Sequence, residues 1–395
     1  ILSATGLLPA TDRLSEFSGI VTEVGSGVTR VRVGDRVMGT AGDAREGNTA
    51  LASEFAVAKV PENMTPLEAA AYPIAYGTVW HGLVQLAQIS EGETILIHAA
   101  AGGVGLCAIQ IAQRKGLEVF CTVSSQEKRD YLHNNLGVPY ENMANSRSIA
   151  AWQQGGRDWL AKRGKKGFDG VLNSLQGAAL QGSFEVLDYL GRFVDISKRD
   201  HLAGNPMSMS VFSKAINYIA VELGLLGVHA PHRMAALLDE IAAEHARKPF
   251  KCLYGHKFEG PEGLVQSYQL MESGKHIGKI VTDLSVSCRP GHKEKLWCAY
   301  KLYDPRKTYV LVGGCGGLGP RLAQFLINLG ARNIVLTGRR GHISRSDRLA
   351  LERLVRDPAF PHVTIKIMAA DALSPEAMKD VFNTARSLGP IAGVF

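Results

Sequence analysis

Cysteine is sparse and scattered. Cys107, Cys121, Cys252, Cys288, Cys298 and Cys315 form no CxxC pair, so the chain encodes neither a disulfide scaffold nor a zinc knuckle. Reduced thiols in a cytoplasmic protein are the expectation. No window approaches the ~20 consecutive apolar residues of a membrane span, and Ile1 opens no charged segment followed by an apolar one, so no signal peptide is read there. Both ends read as cut, and the 395 residues are expected to be a piece of a longer polypeptide. HExxH, a GxSxG elbow and a Walker lysine are also missing, which sets aside zinc-protease, serine-hydrolase and phosphate-loop chemistry. Charge is mixed, with 44 Lys and Arg against 37 Asp and Glu, net +7. The densest basic run, Lys162-Arg163-Gly164-Lys165-Lys166, carries no interleaved aromatic. It reads as a solvated loop, and neither a nucleic acid nor a membrane partner is expected.

What is present is 46% hydrophobic residues and 43 glycines, enough for two or three packed domains at this length. Residues 1–60 read as β-rich: Gly19–Gly25 is strand-like, and Val31–Gly39 repeats short strand, Gly-Asp turn, short strand, which fits a small barrel. The texture changes at Thr65-Pro66-Leu67-Glu68, a capping box with proline at the first helical position. Strands and helices then alternate: strand Glu93–His98, helix Val104–Lys115, strand Leu117–Val123, helix Gln126–Leu136, strand Phe168–Asn173, helix Ala178–Leu190, strand Arg192–Ile196. Such alternation implies a parallel sheet wrapped by helices. Residues 224–285 return to mixed structure, with a helix near Arg233–Ala246 and short strands ending at Lys279–Thr282. The βα pattern restarts at Lys307.

The strand-to-helix turn His98-Ala99-Ala100-Ala101-Gly102-Gly103-Val104-Gly105 lacks bulky side chains. Backbone N–H groups at a helix start can there approach a pyrophosphate, although a tight packing turn would need the same residues. Where an NAD site would end its second strand in an acid, this chain has Thr122-Val123-Ser124-Ser125-Gln126-Glu127-Lys128. Hydroxyls and a cation suit the 2′-phosphate of NADPH; Ser124 with Glu127 equally reads as a capping box. A second turn, Gly313-Gly314-Cys315-Gly316-Gly317-Leu318-Gly319, again follows a strand. Arg339 and Arg340 stand at the tip of the next strand, suited to a 2′-phosphate. Asp371 closes the third, placed either for an adenine amine or as a turn residue before Ser374-Pro375. A zinc alcohol dehydrogenase would need a His-Glu pair and cysteine ligands near the start, where this chain has Leu14-Ser15-Glu16. No metal site is expected.

Several segments together resemble one family. Glu16-Phe17-Ser18-Gly19, Ala75-Tyr76-Gly77-Thr78, the Ala101–Gly105 turn, Leu172-Asn173-Ser174-Leu175, Gly191–Lys198 and Gly274–Lys279 look like the enoyl reductase domain of animal fatty acid synthase and of reducing polyketide synthases. Residues 307–395 resemble the start of the ketoreductase domain that follows it. The resemblance implies an α/β fold: a zinc-free medium-chain reductase, with a GroES-like β domain plus a Rossmann domain, followed by the N-terminal part of a second Rossmann-type domain. It divides the chain into a partial GroES-like domain (1–72), a Rossmann NADPH-binding domain (73–223), a return to the substrate domain (224–285), a linker (286–306) and a partial ketoreductase (307–395).

It further implies NADPH-dependent reduction of a 2-enoyl thioester carried on an acyl carrier protein, within a homodimeric multidomain synthase. Lys198 matches the family's lysine at the end of the Gly191-Arg192-Phe193 strand, as proton donor or enolate stabiliser, or else as a plain strand-end cation. Thr78, Asn173 and Lys279 match positions around the cofactor, beside Ala101, Gly102, Gly103, Val104, Gly105, Ser124 and Lys128. In the second unit Gly313, Gly316, Gly317, Leu318, Gly319, Arg339, Arg340 and Asp371 match the cofactor turn and strand tips. The family often pairs the lysine with an aspartate, and here Gly224 falls at that place with Glu222 two residues earlier. On that departure the rival is a degenerate reductase kept as a structural module; a stand-alone quinone reductase is the other. The ketoreductase catalytic residues would lie beyond Phe395.

Overall fold

The computed structural model describes residues 15–41, 49–251, 253–285, 303–356 and 362–395, and the chain divides into two units, Ile1–His292 and Lys293–Phe395. Most of the expected linker, residues 286–302, lies outside the described residues, as do 1–14.

In the first unit β1 (Ser15–Ile20) pairs antiparallel with β2 (Arg36–Ala41), which pairs antiparallel with β3 (Val57–Lys59). The strand expected over Gly19–Gly25 therefore lies earlier. Past Ile20 the bonding to the other side continues, with the Val21 N–H donating to the Asp35 carbonyl at 2.9 Å and the Gly34 N–H to the Val21 carbonyl at 2.8 Å, and the turn follows at Ser26-Gly27. The capping box opens α1 (Pro66–Ala70) as expected, the Glu68 carboxylate accepting from the Thr65 N–H at 2.9 Å. α2 (Pro73–Val79) runs on into a π-helical turn, Trp80–Leu86.

The alternating part follows as β4 (Thr94–Ile97), α3 (Gly103–Arg114), β5 (Glu118–Val123), α4 (Gln126–Leu136), β6 (Met143–Asn145), α5 (Ile149–Ala161), β7 (Phe168–Asn173), α6 (Ala178–Glu185), β8 (Leu187–Asp195), α7 (Arg199–Ala203) and β9 (Asn217–Ala220). The strands form one parallel sheet in the order β6-β5-β4-β7-β8-β9. Ile95, Leu96 and Ile97 are all fully buried; Ile95 and Ile97 face one core cluster and Leu96 the other. A strand covered by helices on both faces needs such an unbroken apolar run, and each of these side chains contributes roughly 1.5–3 kcal/mol by leaving water.

Two elements depart from expectation. α6 stops at Glu185 rather than Leu190, because Leu187 already pairs with Phe168 and Leu190 takes φ +61, outside the helical region. α5 has no counterpart in the sequence pattern, since Gly155-Gly156 interrupts its apolar spacing; its Trp152 and Trp159 are buried. The basic run is the turn after α5: Arg163 stacks on Trp159 at 3.7 Å and pairs with Glu118, while Lys165 pairs with Asp169 at 2.6 Å.

After the sheet come α8 (Leu223–His229), α9 (Pro231–Arg247), β10 (Tyr254–Glu259), α10 (Gly260–Ser273) and β11 (Lys279–Asp283), with β10 and β11 parallel. The second unit holds β12 (Thr308–Leu311), α11 (Gly319–Asn328), β13 (Asn333–Gly338), α12 (Arg345–Arg356), β14 (Thr364–Ala369), α13 (Pro375–Leu388) and β15 (Ile391–Val394), in a parallel sheet ordered β14-β13-β12-β15. No helix among the described residues is long and apolar enough to cross a membrane.

His98, just past β4, is buried with Nδ1 3.0 Å from Thr122 Oγ1 and Nε2 3.0 Å from Ser183 Oγ. Burial pushes its imidazole down to about 3 from the usual 6.5, so it is a neutral core residue. On acidification the unfolded chain takes up this proton first. Stability should therefore fall between about pH 6.5 and 3, by about 1.4 kcal/mol per pH unit from this group. Urea unfolding across that window should show the slope in the wild type and lose that increment in His98→Gln.

Candidate active site

β4 stands where the strand order reverses, flanked by β5 and β7, the position at which such sheets bind ligands. Beyond its end Ala99 takes φ +50, the Ala100 N–H bonds the Thr122 carbonyl at 3.1 Å, and the Gly102 N–H returns to the Ala99 carbonyl at 3.0 Å. Gly102 caps α3 with no side-chain hydrogen bond, leaving the first helical N–H groups for an anion. A Cβ on Gly105 would lie 2.5 Å from Ala100 Cα, so the helix meets the strand end only because Gly105 has none. A Cβ on Gly103 would collide with the Lys279 stem.

Lys279 arrives from the far end of the unit. The Gly278 N–H donates to the Ala101 carbonyl at 2.8 Å and Gly102 bridges Gly278, laying the start of β11 along the glycine turn. The Lys279 ammonium pairs with Glu16 in β1, whose other oxygen accepts the Ile74 N–H at 2.9 Å in the first turn of α2. Burial lowers Lys279 to about 8. Three distant segments thus meet at one cation beside the helix start. In the sequence Glu16 stands out only as part of a motif; its pairing is a long-range contact that no local spacing announces. Thr78 is buried on α2.

Ser124 follows β5 half-buried, but the cap of α4 is its neighbour: Ser125 Oγ accepts the Lys128 N–H at 3.3 Å. The capping box expected at Ser124 is corrected accordingly, which leaves the Ser124 hydroxyl out of the cap. Lys128 Nζ donates to the Gly274 carbonyl at 3.1 Å. Asn173 is fully buried; its Nδ2 donates to the Leu175 carbonyl and to Asp195 Oδ1, both at 3.0 Å, and its Oδ1 accepts the Leu175 N–H. Its side chain braces the strand ends.

Lys198 follows β8 as the residue before α7, and its ammonium pairs with the Glu222 carboxylate. Glu222 stands two residues before Gly224, as in the sequence, and its Oε1 also accepts the Gly224 N–H at 3.0 Å to cap α8. Among the described residues no group of His, Cys, Asp and Glu is placed to hold a metal ion.

In the second unit Gly313 takes φ +72, Gly316 and Gly317 continue the turn, Leu318 is exposed, and Gly319 opens α11 where a Cβ would strike the Gly314 carbonyl. Arg339 and Arg340 are exposed just after β13. Asp371 Oδ1 accepts the Leu373 N–H at 3.1 Å, so at least one of its oxygens serves the turn before the Ser374 cap.

Because Glu16 satisfies a backbone donor and a largely buried ammonium together, Glu16→Ala should destabilise the first unit by about 1–3 kcal/mol. Glu16→Gln should cost less, as its amide oxygen can still accept from Ile74. Denaturant midpoints of the two variants check this ordering.

Family models agree with this layout: an alcohol dehydrogenase GroES-like domain matches residues 8–76, a zinc-binding dehydrogenase 103–243 and a KR domain 307–395. Highly reducing polyketide synthase 40 of Fusarium mangiferae is 33% identical over 386 residues, covering 96% of this chain and 15% of that protein. The highly reducing polyketide synthase of Didymella fabae is 34% identical over 387 residues, covering 96% of this chain and 20% of that one. The chain thus spans about a fifth or less of the length of such relatives. Among solved structures, CurK enoyl reductase is 31% identical at a TM-score of 0.58, covering 68% of this chain and 78% of its own. The CurF ER cyclopropanase of the curacin A pathway is 28% identical at 0.59, covering 68% and 77%. With its GroES-like, Rossmann and ketoreductase segments in that order, the chain belongs to the enoyl reductases of the reducing polyketide synthases.

Proposed function

We propose that the first unit reduces the carbon–carbon double bond of a 2-enoyl thioester held on an acyl carrier protein, using NADPH, within a larger and dimeric synthase. The observation that carries the reading is the Lys198–Glu222 pair at the C-terminal edge of the sheet, on the side where the uncapped start of α3 opens.

The residues present fit a phosphorylated dinucleotide. The glycines at 102, 103 and 105 leave α3 open to a pyrophosphate, and the Lys279 ammonium lies beside that turn. Ser124, outside the cap, and Lys128 offer a donor and a cation at the second strand end, where a 2′-phosphate would lie. When bound, the coenzyme supplies a hydride for C3 of the substrate. Negative charge then develops on the thioester oxygen and C2, and a cation placed there stabilises it. Lys198 holds a proton at Nζ for C2, and the Glu222 carboxylate paired with it holds the ammonium in place to deliver it. The second unit offers a similar glycine turn with Arg339 and Arg340 at the neighbouring strand tip, the first half of an NADPH site for a ketoreductase.

The full-length protein should oxidise NADPH in the presence of a crotonyl thioester, and NADH much less well. Lys198→Met should lower kcat by about 10²–10⁴-fold while NADPH binding, followed by its fluorescence, persists. A Lys198→Met protein turning over at the wild-type rate would retire the proton-donor assignment.

A further inference from the structure

Asp195 ends β8 three residues before Lys198 and is fully buried, and both its oxygens are taken up. Oδ1 accepts the Ser197 N–H at 2.8 Å and Asn173 Nδ2 at 3.0 Å. Oδ2 accepts the Tyr218 hydroxyl at 2.7 Å and faces His201 Nε2 at 3.3 Å. His201 Nε2 is also 2.6 Å from the Tyr218 oxygen. Since the tyrosine gives its proton to Asp195, the histidine must be the donor in that contact. The carboxylate thereby joins the ends of β7, β8 and β9 to α7.

Two of these links point at the reactive pair. The Asp195 side chain fixes the backbone of Ser197, the residue before Lys198. The Asp195 carbonyl accepts the Val221 N–H at 2.9 Å, the residue before Glu222. One residue therefore sets the chain on both sides of the pair. His201 holds the short helix that starts after Lys198, and Asp200 holds it again by accepting the Gly177 N–H at 2.8 Å, a bond that keeps its own carboxyl below the usual range.

We propose that Asp195, backed by Tyr218 and His201, is the positioning residue of the Lys198–Glu222 pair, holding the ammonium against the carboxylate. The inference rests on the reductase reading for its purpose but not for its geometry. Asp195 is buried and uses both oxygens, and a buried carboxyl group short of hydrogen bonds is strongly disfavoured. Tyr218 stays a donor to it, since burial first, then the bond to Asp195, drives the tyrosine hydroxyl pKa upward.

The test reads Lys198 directly, in the full-length protein, by acetic anhydride labelling at fixed pH with mass-spectrometric quantification. Glu222→Gln removes the carboxylate that holds the ammonium in its ion pair, so Lys198 should label roughly two- to fivefold faster. Asp195→Asn and Tyr218→Phe should move it the same way, and Asp195→Asn should add nothing in a Glu222→Gln background. Tyr218→Phe keeps ring and packing, so it carries the test if Asp195→Asn does not fold. Wild-type labelling in folded Tyr218→Phe and Asp195→Asn proteins, with Glu222→Gln shifted, would overturn the proposal; so would a Glu222→Gln protein that labels as wild type. A parallel crotonyl thioester assay separates the two readings. The expected labelling pattern together with a wild type that reduces no enoyl thioester would uphold the placement and sink the reductase.

Discussion

The close approach of α3 to the end of β4 is the constraint on which the first unit depends. Gly105 presses on Ala100 with no room for a side chain, and Gly103 lies under the stem of Lys279. This brings backbone N–H groups to the sheet's edge, where the strand order reverses. β11 lies along the same turn, its Gly278 N–H bonding the Ala101 carbonyl and its Lys279 held by Glu16, and the N–H groups at the helix start stay open. Glu16 in turn fills the first turn of α2. The β-rich start, the Rossmann sheet and the returning strand are tied through a carboxylate and an ammonium.

Much of this layout is legible in the sequence. Ile95–Ile97 is an unbroken apolar run because both faces of the sheet are covered, and the glycines that follow are readable as a turn because strand and helix flank them. Gln126–Leu136 and Phe168–Asn173 stand where periodicity puts them. The differences share a cause. α5 hides behind Gly155-Gly156, whose lack of side chains lets the helix pass close to Phe120 and Phe168, a packing reason invisible to spacing. The limits of α6 and β8 differ from expectation because Leu187 is decided by pairing with Phe168, not by its neighbours in sequence.

The candidate site is legible by position and not by contact. Lys198, Lys279 and the glycines can be named from motifs, yet the partners that give them character, Glu222 and Glu16, lie 24 and 263 residues away in the chain. Asn173 shows the converse. It stands at the strand edge as expected, and its hydrogen bonds to Leu175 and Asp195 hold that edge in shape.

Gly224 is the most instructive residue. Judged by register it looks like a lost acid. In the fold it helps to place the acid two residues earlier. Glu222 bends one oxygen onto the Gly224 N–H and turns the other to Lys198. A Cβ at 224 would stand 3.0 Å from that first oxygen, tighter than ordinary contact, and the carboxylate would have to give way. One carboxylate thus caps α8 and holds the lysine, and the cap limits where the carboxylate can swing. With Asp195 restraining the backbone before both residues, the pair is held by the ends of β8, β9 and α8 together, which is the pre-organisation that the proposed proton donation by Lys198 requires.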